Sequence, residues 1–154
     1  MSTLSNKPDE IEERLLNLLL ENARRSLKEL AEQVGMSPPS VAERLRRLED
    51  RDIIRAFTLS LNPHALGYNV QALVRIRPLP GRQGVVEKLI LSTPEFCECD
   101  KVTGDDCYVV RLFVRSIEEL DVLLERIVDN AETNTSIVKS QLIVRRPPPV
   151  RAMR

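Results

Sequence analysis

The sequence predicts an α+β chain in two parts: a bundle of three short helices up to residue 52, then a β-α-β-β-α-β unit over residues 68–146. Three observations carry this. Apolar residues recur three and four apart from Asp9 to Asp52, the helical period. After Asp52 the period changes to short runs suited to strands, interrupted by two further helical stretches. Pro and Gly stand where each element has to stop.

The first helix carries Ile11, Leu15, Leu18 and Leu19 on one stripe, the second Leu27, Leu30, Ala31 and Val34, the third Val41, Leu45 and Leu48. Ser26-Leu27-Lys28-Glu29 fits a capping box opening the second helix. Gly35 follows Val34 where a left-handed residue closes a helix. Ser37 then supplies an N-cap and Pro38 a first helical residue for the third helix. So short a connection makes the second and third helices cross steeply. Residues 53–67 read as a linker: an extended strand from Ile53 to Leu61, then Asn62-Pro63.

The second part begins with a strand near Asn69–Arg77, ended by Pro78 and Pro80. A helix near Gln83–Leu91 follows, with Val86, Leu89 and Ile90 on one side. Strands near Glu95–Thr103 and Cys107–Arg115 flank a turn at Gly104-Asp105-Asp106. Ser116-Ile117-Glu118-Glu119 fits a second capping box, opening a helix with Leu120, Leu123, Leu124, Ile127 and Val128. Thr135–Arg146 reads as the last strand, and Pro147-Pro148-Pro149 begins a polyproline tail over residues 147–154. This order is the ferredoxin-like layout, one antiparallel sheet with both helices on one face. In the third strand Tyr108, Val110, Leu112 and Val114 face one way, Val109 and Phe113 the other. An apolar second face on a half-covered sheet calls for another chain, so an oligomer is expected.

Composition narrows the function. The 154 residues are 42% hydrophobic and 30% charged, enough for a packed core. No apolar run approaches the roughly 18 residues of a membrane span. The start, MSTLSNKPDEIEER, lacks the apolar stretch of a secretory signal. Three cysteines do not make a disulfide framework, and a cytoplasmic location is expected. Net charge is zero, and residues 1–60 hold ten basic against eleven acidic residues, so DNA binding would use a small local patch.

That patch lies on the third helix, Ser37–Asp50. In a helix-turn-helix unit a small residue sits where the helices touch, a Gly in the turn, and a branched apolar residue anchors the second helix; Ala31, Gly35 and Val41 supply these in order. Taking Val41 as inward and about 100° per residue, Leu45 and Leu48 fall within about 40° of it. Pro39, Ser40, Glu43 and Arg47 then point outward, with Arg44 and Arg46 on the flanks. Together with Ser37 these are the candidate DNA contacts, arginines for phosphate or guanine and the others for sequence. A solvated charged face is the plainer alternative.

No catalytic, metal or cofactor site is expected. His64 is alone, and no phosphate loop or dinucleotide fingerprint appears. Taking Asp105 as the centre of the turn pairs Cys99 with Arg111 and separates Cys99 from Cys107 by roughly 13 Å, too far for one metal. Cys97 and Cys99 are expected on one face, as structural thiols or as a redox sensor.

The stretches RLLNLLLENARRSLKELAEQVGMSPPSVAERLRRLEDRDIIRAFTLSLNP, HALGY and CDKVTGDDCYVV resemble the Lrp/AsnC (feast/famine) transcriptional regulators, in order and over nearly the whole chain. The resemblance implies double-stranded DNA as partner, a homodimer or octamer joined through the sheet domains, and a small-molecule effector, usually an amino acid. Two departures stand out. Arg51-Asp52 replaces the Gly usual before the linker strand, and Asp tolerates the left-handed geometry. The hairpin reads Thr103-Gly104-Asp105-Asp106-Cys107-Tyr108, with Cys107 where the family has its second aspartate. Gly104, Asp105, Asp106 and Tyr108, with Thr135 and Ser136, are the effector candidates, against the plainer reading of ordinary hairpin chemistry. Two other functions compete. One is a sirohaem decarboxylase-like enzyme on the same scaffold, which needs convergent Arg and His. The other is an effector-sensing module that partners another regulator without touching DNA.

Overall fold

A computed structural model describes residues 7–150. The described residues up to Ser60, together with those from Arg145, form one compact unit; Leu61–Val144 form the other.

The first unit contains α1 (Glu10–Glu21), α2 (Leu27–Val34) and α3 (Pro38–Asp50). Leu15, Leu19, Leu30, Ala31 and Val41 make its core, with Ile11, Leu18, Val34 and Leu45 packed around them. Leu27, expected in the α2 stripe, is instead 42% exposed, because the first position of a helix lies beyond the crossing. The Ser26/Glu29 capping box is present, and Gly35 takes φ +69°. Asp52 closes α3 at φ +56°, with Ile53 N–H donating to the Leu48 carbonyl at 2.9 Å. The left-handed turn therefore survives without glycine.

The linker forms no strand. Residues 54–62 carry no regular secondary structure, and Phe57, Leu59 and Leu61 stand exposed. A strand needs a pairing partner, and this segment meets none among the described residues. The Asn62 side-chain oxygen accepts from the His64 N–H at 3.1 Å where the short 3-10 turn His64–Leu66 begins.

The second unit contains β1 (Val70–Pro78), α4 (Gln83–Leu91), β2 (Phe96–Lys101), β3 (Tyr108–Val114), α5 (Ile117–Val128) and β4 (Ala131–Ile137). The sheet is antiparallel, in the order β2-β3-β1-β4. Ala72, Val74 and Ile76 of β1 pair with Leu112, Val110 and Tyr108 of β3, and this face packs on Val86 and Ile90 of α4 and Leu120, Leu123 and Ile127 of α5. Ser116 caps α5, but Glu119 turns its carboxylate to the Arg115 N–H, so only half of the expected capping box forms.

Two strand expectations are corrected. The last strand begins at Ala131, four residues earlier than expected, and stops at Ile137. β1 runs out first: Ile137 lies opposite Ala72, Val138 N–H donates to Gln71, and the residues beyond have no strand to join. The β2–β3 register is one residue from that expected. Cys99 faces Val110 rather than Arg111, since Val102 N–H closes on the Cys107 carbonyl and lengthens the turn.

Candidate nucleic-acid interface and effector site

Two ionic systems hold α3. One ties it to the start of α1, where Asp9 and Glu12 form a reciprocal capping box at 2.8 and 3.1 Å. Glu12 is 4% exposed. The Arg51 guanidinium donates to both of its oxygens, at 3.0 and 3.1 Å, and Arg44 donates to Asp9 at 2.6 Å. Burial alone would push the Asp9 carboxyl up; the Glu12 N–H and Arg44 outweigh it and hold it below its ordinary value. The sequence carried a signal for this pair, D-x-x-E ahead of an apolar stripe.

The other system lies on the outward face. Glu43 accepts from Arg46 at 2.9 and 3.0 Å and from Arg47 at 3.1 Å, and Arg46 reaches Asp50 at 2.7 Å. These contacts hold Glu43 below the usual carboxylate range, Arg46 first and Arg47 second. Pro39 and Ser40 are exposed; Ser37 caps the Ser40 N–H at 3.3 Å and shares a 2.8 Å hydroxyl contact with Ser40. Ser40, Glu43, Arg46 and Arg47 thus stand together on one surface, while Arg44 is turned toward α1. Each arginine of α3 already has a carboxylate partner.

The effector candidates do not all converge. Side chains directly opposite in an antiparallel pair share a face. Thr135 lies opposite Val74 and Ser136 opposite Leu73, so the two are on different faces of the sheet. Tyr108 points to the helices: its hydroxyl donates to Glu87 at 2.6 Å, and Lys101 donates to the same oxygen at 3.0 Å. Burial, then the Glu87 contact, raises the Tyr108 hydroxyl. Tyr108 and Thr135 are therefore removed from the expected cluster. On the opposite face Asp106 pairs with Arg75 at 3.5 Å, and Arg77 pairs with Glu132. Arg77 is raised chiefly by Glu132 and further by Asp105 and Asp106. Gly104, at φ +110°, forms the adjoining turn. Sequence reading missed Arg75 and Arg77, although their alternation with Val74 and Ile76 marks them as outward.

An apolar cleft of about 250 Å³ also opens in this unit, lined by Leu61, Pro63, Leu66, Tyr68, Pro94, Cys97 and Phe113. The β2 irregularity between Phe96 and Glu98 leaves Cys97 beside Phe113, while Cys99 lies opposite inward-facing Val110. The two thiols do not share a face, contrary to expectation. Burial, then neighbouring acids, raises both. Among the described residues no group of three or more His, Cys, Asp or Glu is placed to hold a metal, and no helix is long and apolar enough to cross a membrane.

Two capped helices packed together and joined by the short Gly35-Met36-Ser37 turn, with a polar outer face on the second and a sheet domain following, are the arrangement of helix-turn-helix DNA-binding regulators. Residues 8–55 match the family model described as winged helix-turn-helix DNA-binding, and residues 71–148 that of the Lrp/AsnC ligand binding domain. The chain belongs to the Lrp/AsnC family of transcriptional regulators. It is 34% identical over 128 residues to the HTH-type transcriptional regulator LrpA of Mycobacterium tuberculosis, covering 82% of this chain and 85% of that one. The structure of LrpC from Bacillus subtilis superposes with a TM-score of 0.84 at 27% identity, covering 90% of this chain and 99% of LrpC. The feast or famine regulatory protein Rv3291c from M. tuberculosis, solved with L-methionine, gives 0.84 at 31% identity, covering 92% and 98%.

Proposed function

We propose that the chain represses or activates transcription by placing α3 in the major groove of duplex DNA, and that an amino acid modulates this through the sheet domain. The helix-turn-helix part, residues 1–52, is the reading head; residues 53–67 connect it to the assembly and effector part, residues 68–146. The surface cluster of Ser40, Glu43, Arg46 and Arg47 on a capped helix packed against α2 is the observation that carries the DNA reading. Ser37 and Pro39 approach the same groove from the helix start. Arg44 acts chiefly by fixing α3 on α1.

A free amino acid presents an ammonium and a carboxylate. The outer sheet face offers both complements, Asp106 with Asp105 for the ammonium and Arg75 for the carboxylate, with Ser136 on the same face. The methionine complex of Rv3291c supports an amino acid of this kind. The protein works by binding and not by catalysis, in keeping with the regulators it resembles; His64, the sole histidine, stands on an exposed turn. The cytoplasm, where DNA and free amino acids meet, is its place of action. The exposed, unpaired Phe57, Leu59 and Leu61 and the half-buried Val109 and Phe113 support assembly with further copies, as a dimer or octamer.

The test is a gel shift on the fragment upstream of its own gene. Arg47→Ala is expected to weaken binding about ten-fold or more with the solution mass unchanged; equal binding would remove α3 from the groove. A thermal-shift panel of the twenty amino acids is expected to give a stabilising ligand whose effect disappears in Asp106→Ala. A flat panel would end the amino-acid reading and leave the DNA reading standing.

A further inference from the structure

Charge is unevenly spread along the chain. After Glu132 no acidic residue occurs, while Lys139, Arg145, Arg146, Arg151 and Arg154 give the last 22 residues five positive charges. The remainder, with 18 basic and 23 acidic residues, is net negative by the same amount. Residues 1–52, the reading head, hold nine basic against eleven acidic residues, so the head by itself lacks the sequence-independent attraction that phosphate contacts supply. The recognition helix does not make this up: Arg44, Arg46 and Arg47 are each held by Asp9, Glu43 or Asp50.

The segment 145–150 is placed differently. It leaves the sheet domain and belongs to the compact unit that contains α1, α2 and α3. Arg145 and Arg146 are exposed and have no ion pair or hydrogen-bond partner among the described residues. Pro147, Pro148 and Pro149 follow, exposed and outside any helix or strand. Proline fixes φ and removes the N–H, so this stretch stays extended and has little conformational freedom left to lose on binding.

We infer that the segment beginning at Arg145 is a second DNA-binding element, a basic arm that contacts the phosphate backbone beside the helix-turn-helix and supplies affinity without sequence preference. The inference rests on the DNA reading of α3. The two elements divide the work: α3 discriminates with internally balanced charges, and the arm contributes free cations.

The experiment compares the full chain with the double variant Arg145→Gln, Arg146→Gln, on the upstream fragment and on a scrambled duplex, over a range of salt. Each phosphate contact contributes about 0.9 to the slope of log affinity against log salt, so the double variant is expected to flatten the slope by about 1.8 on both duplexes. Discrimination between the duplexes stays unchanged. The charge-conserving pair Arg145→Lys, Arg146→Lys is expected to restore the slope, which a purely structural loss would not. A wild-type slope in the Gln variant overturns the arm while α3 stands. Absence of duplex binding by the wild type overturns both. Wild-type sedimentation with anionic phospholipid vesicles, lost in the Gln variant while the DNA slope holds, would assign the arm to a membrane surface and overturn the inference.

Discussion

Glu12 shows how one buried charge organises the reading head. A carboxylate taken almost wholly from water is costly unless its oxygens are paired, and Arg51 pairs both of them from the far end of α3. Removing the cation leaves Glu12 with the Asp9 N–H at 3.1 Å and Arg44 no nearer than 3.9 Å. Arg51→Ala is therefore expected to destabilise the helix-turn-helix by about 2 kcal/mol, less than for a fully enclosed pair because Arg51 is partly open to water. Thermal unfolding followed by circular dichroism measures it. A midpoint equal to wild type would show that α1 and α3 are held by the Leu15, Leu30 and Val41 core alone. Glu43 acts in the opposite sense. On the proposed DNA reading it would compete with phosphate for Arg46 and Arg47, and base contacts would have to compensate for breaking those pairs.

At the scale of elements, the ends of helices were the most legible feature. Ser26 with Glu29, Gly35, Ser37 with Pro38, and Ser116 act locally, within three or four residues, and the structure uses each of them as a cap or turn. The departure at Asp52 belongs with these. Its φ of +56° is the one left-handed non-glycine conformation among the described residues, and an L side chain pays for it. Asp52→Gly is expected to raise stability by about 0.5 kcal/mol, strain relief being partly offset by the freer unfolded chain, and Asp52→Ile to lower it by more than about 1 kcal/mol. Chemical denaturation distinguishes them; the same midpoint for all three would show that the turn carries no strain. What the sequence left unread depends on pairing at a distance. The run Leu142-Ile143-Val144 resembles a strand by composition, yet β1 has no residues left to receive it. The hairpin slipped by one residue because Gly104 permits turns of different length, and the slip exchanges the faces of Glu98 to Lys101, while the irregularity beside Phe96 keeps that side chain on the core. The same alternation moved Tyr108 and Thr135 out of the effector cluster and brought in Arg75 and Arg77, whose ion partners lie 31 and 55 residues away along the chain.

For the whole molecule the open question is how a weakly charged reading head holds an operator. A single head with a slightly negative net charge and internally paired α3 arginines is expected to bind feebly; two heads joined through their sheet domains would make the second contact intramolecular, which multiplies affinity by about 10²–10⁴. The proposed joint is the face of the sheet that α4 and α5 leave open. Val109 lies on that face near the start of β3, half-buried and directly opposite Arg75, with Leu73 and Phe113 on the same side. Val109→Asp places a carboxylate where a partner would have to desolvate it, yet it touches nothing in the core formed by Val110 and Leu112. The variant is expected to fold with wild-type secondary structure, to run at the mass of one chain, and to lose about 10² in affinity for the upstream fragment. Light scattering and the gel shift together check this. A single-chain mass with undiminished DNA affinity would show that one head suffices. An undiminished mass would move the joint elsewhere, to the exposed Phe57-Leu59-Leu61 edge, which lacks a strand partner within its own chain and would acquire one by lying against the same segment of a second copy.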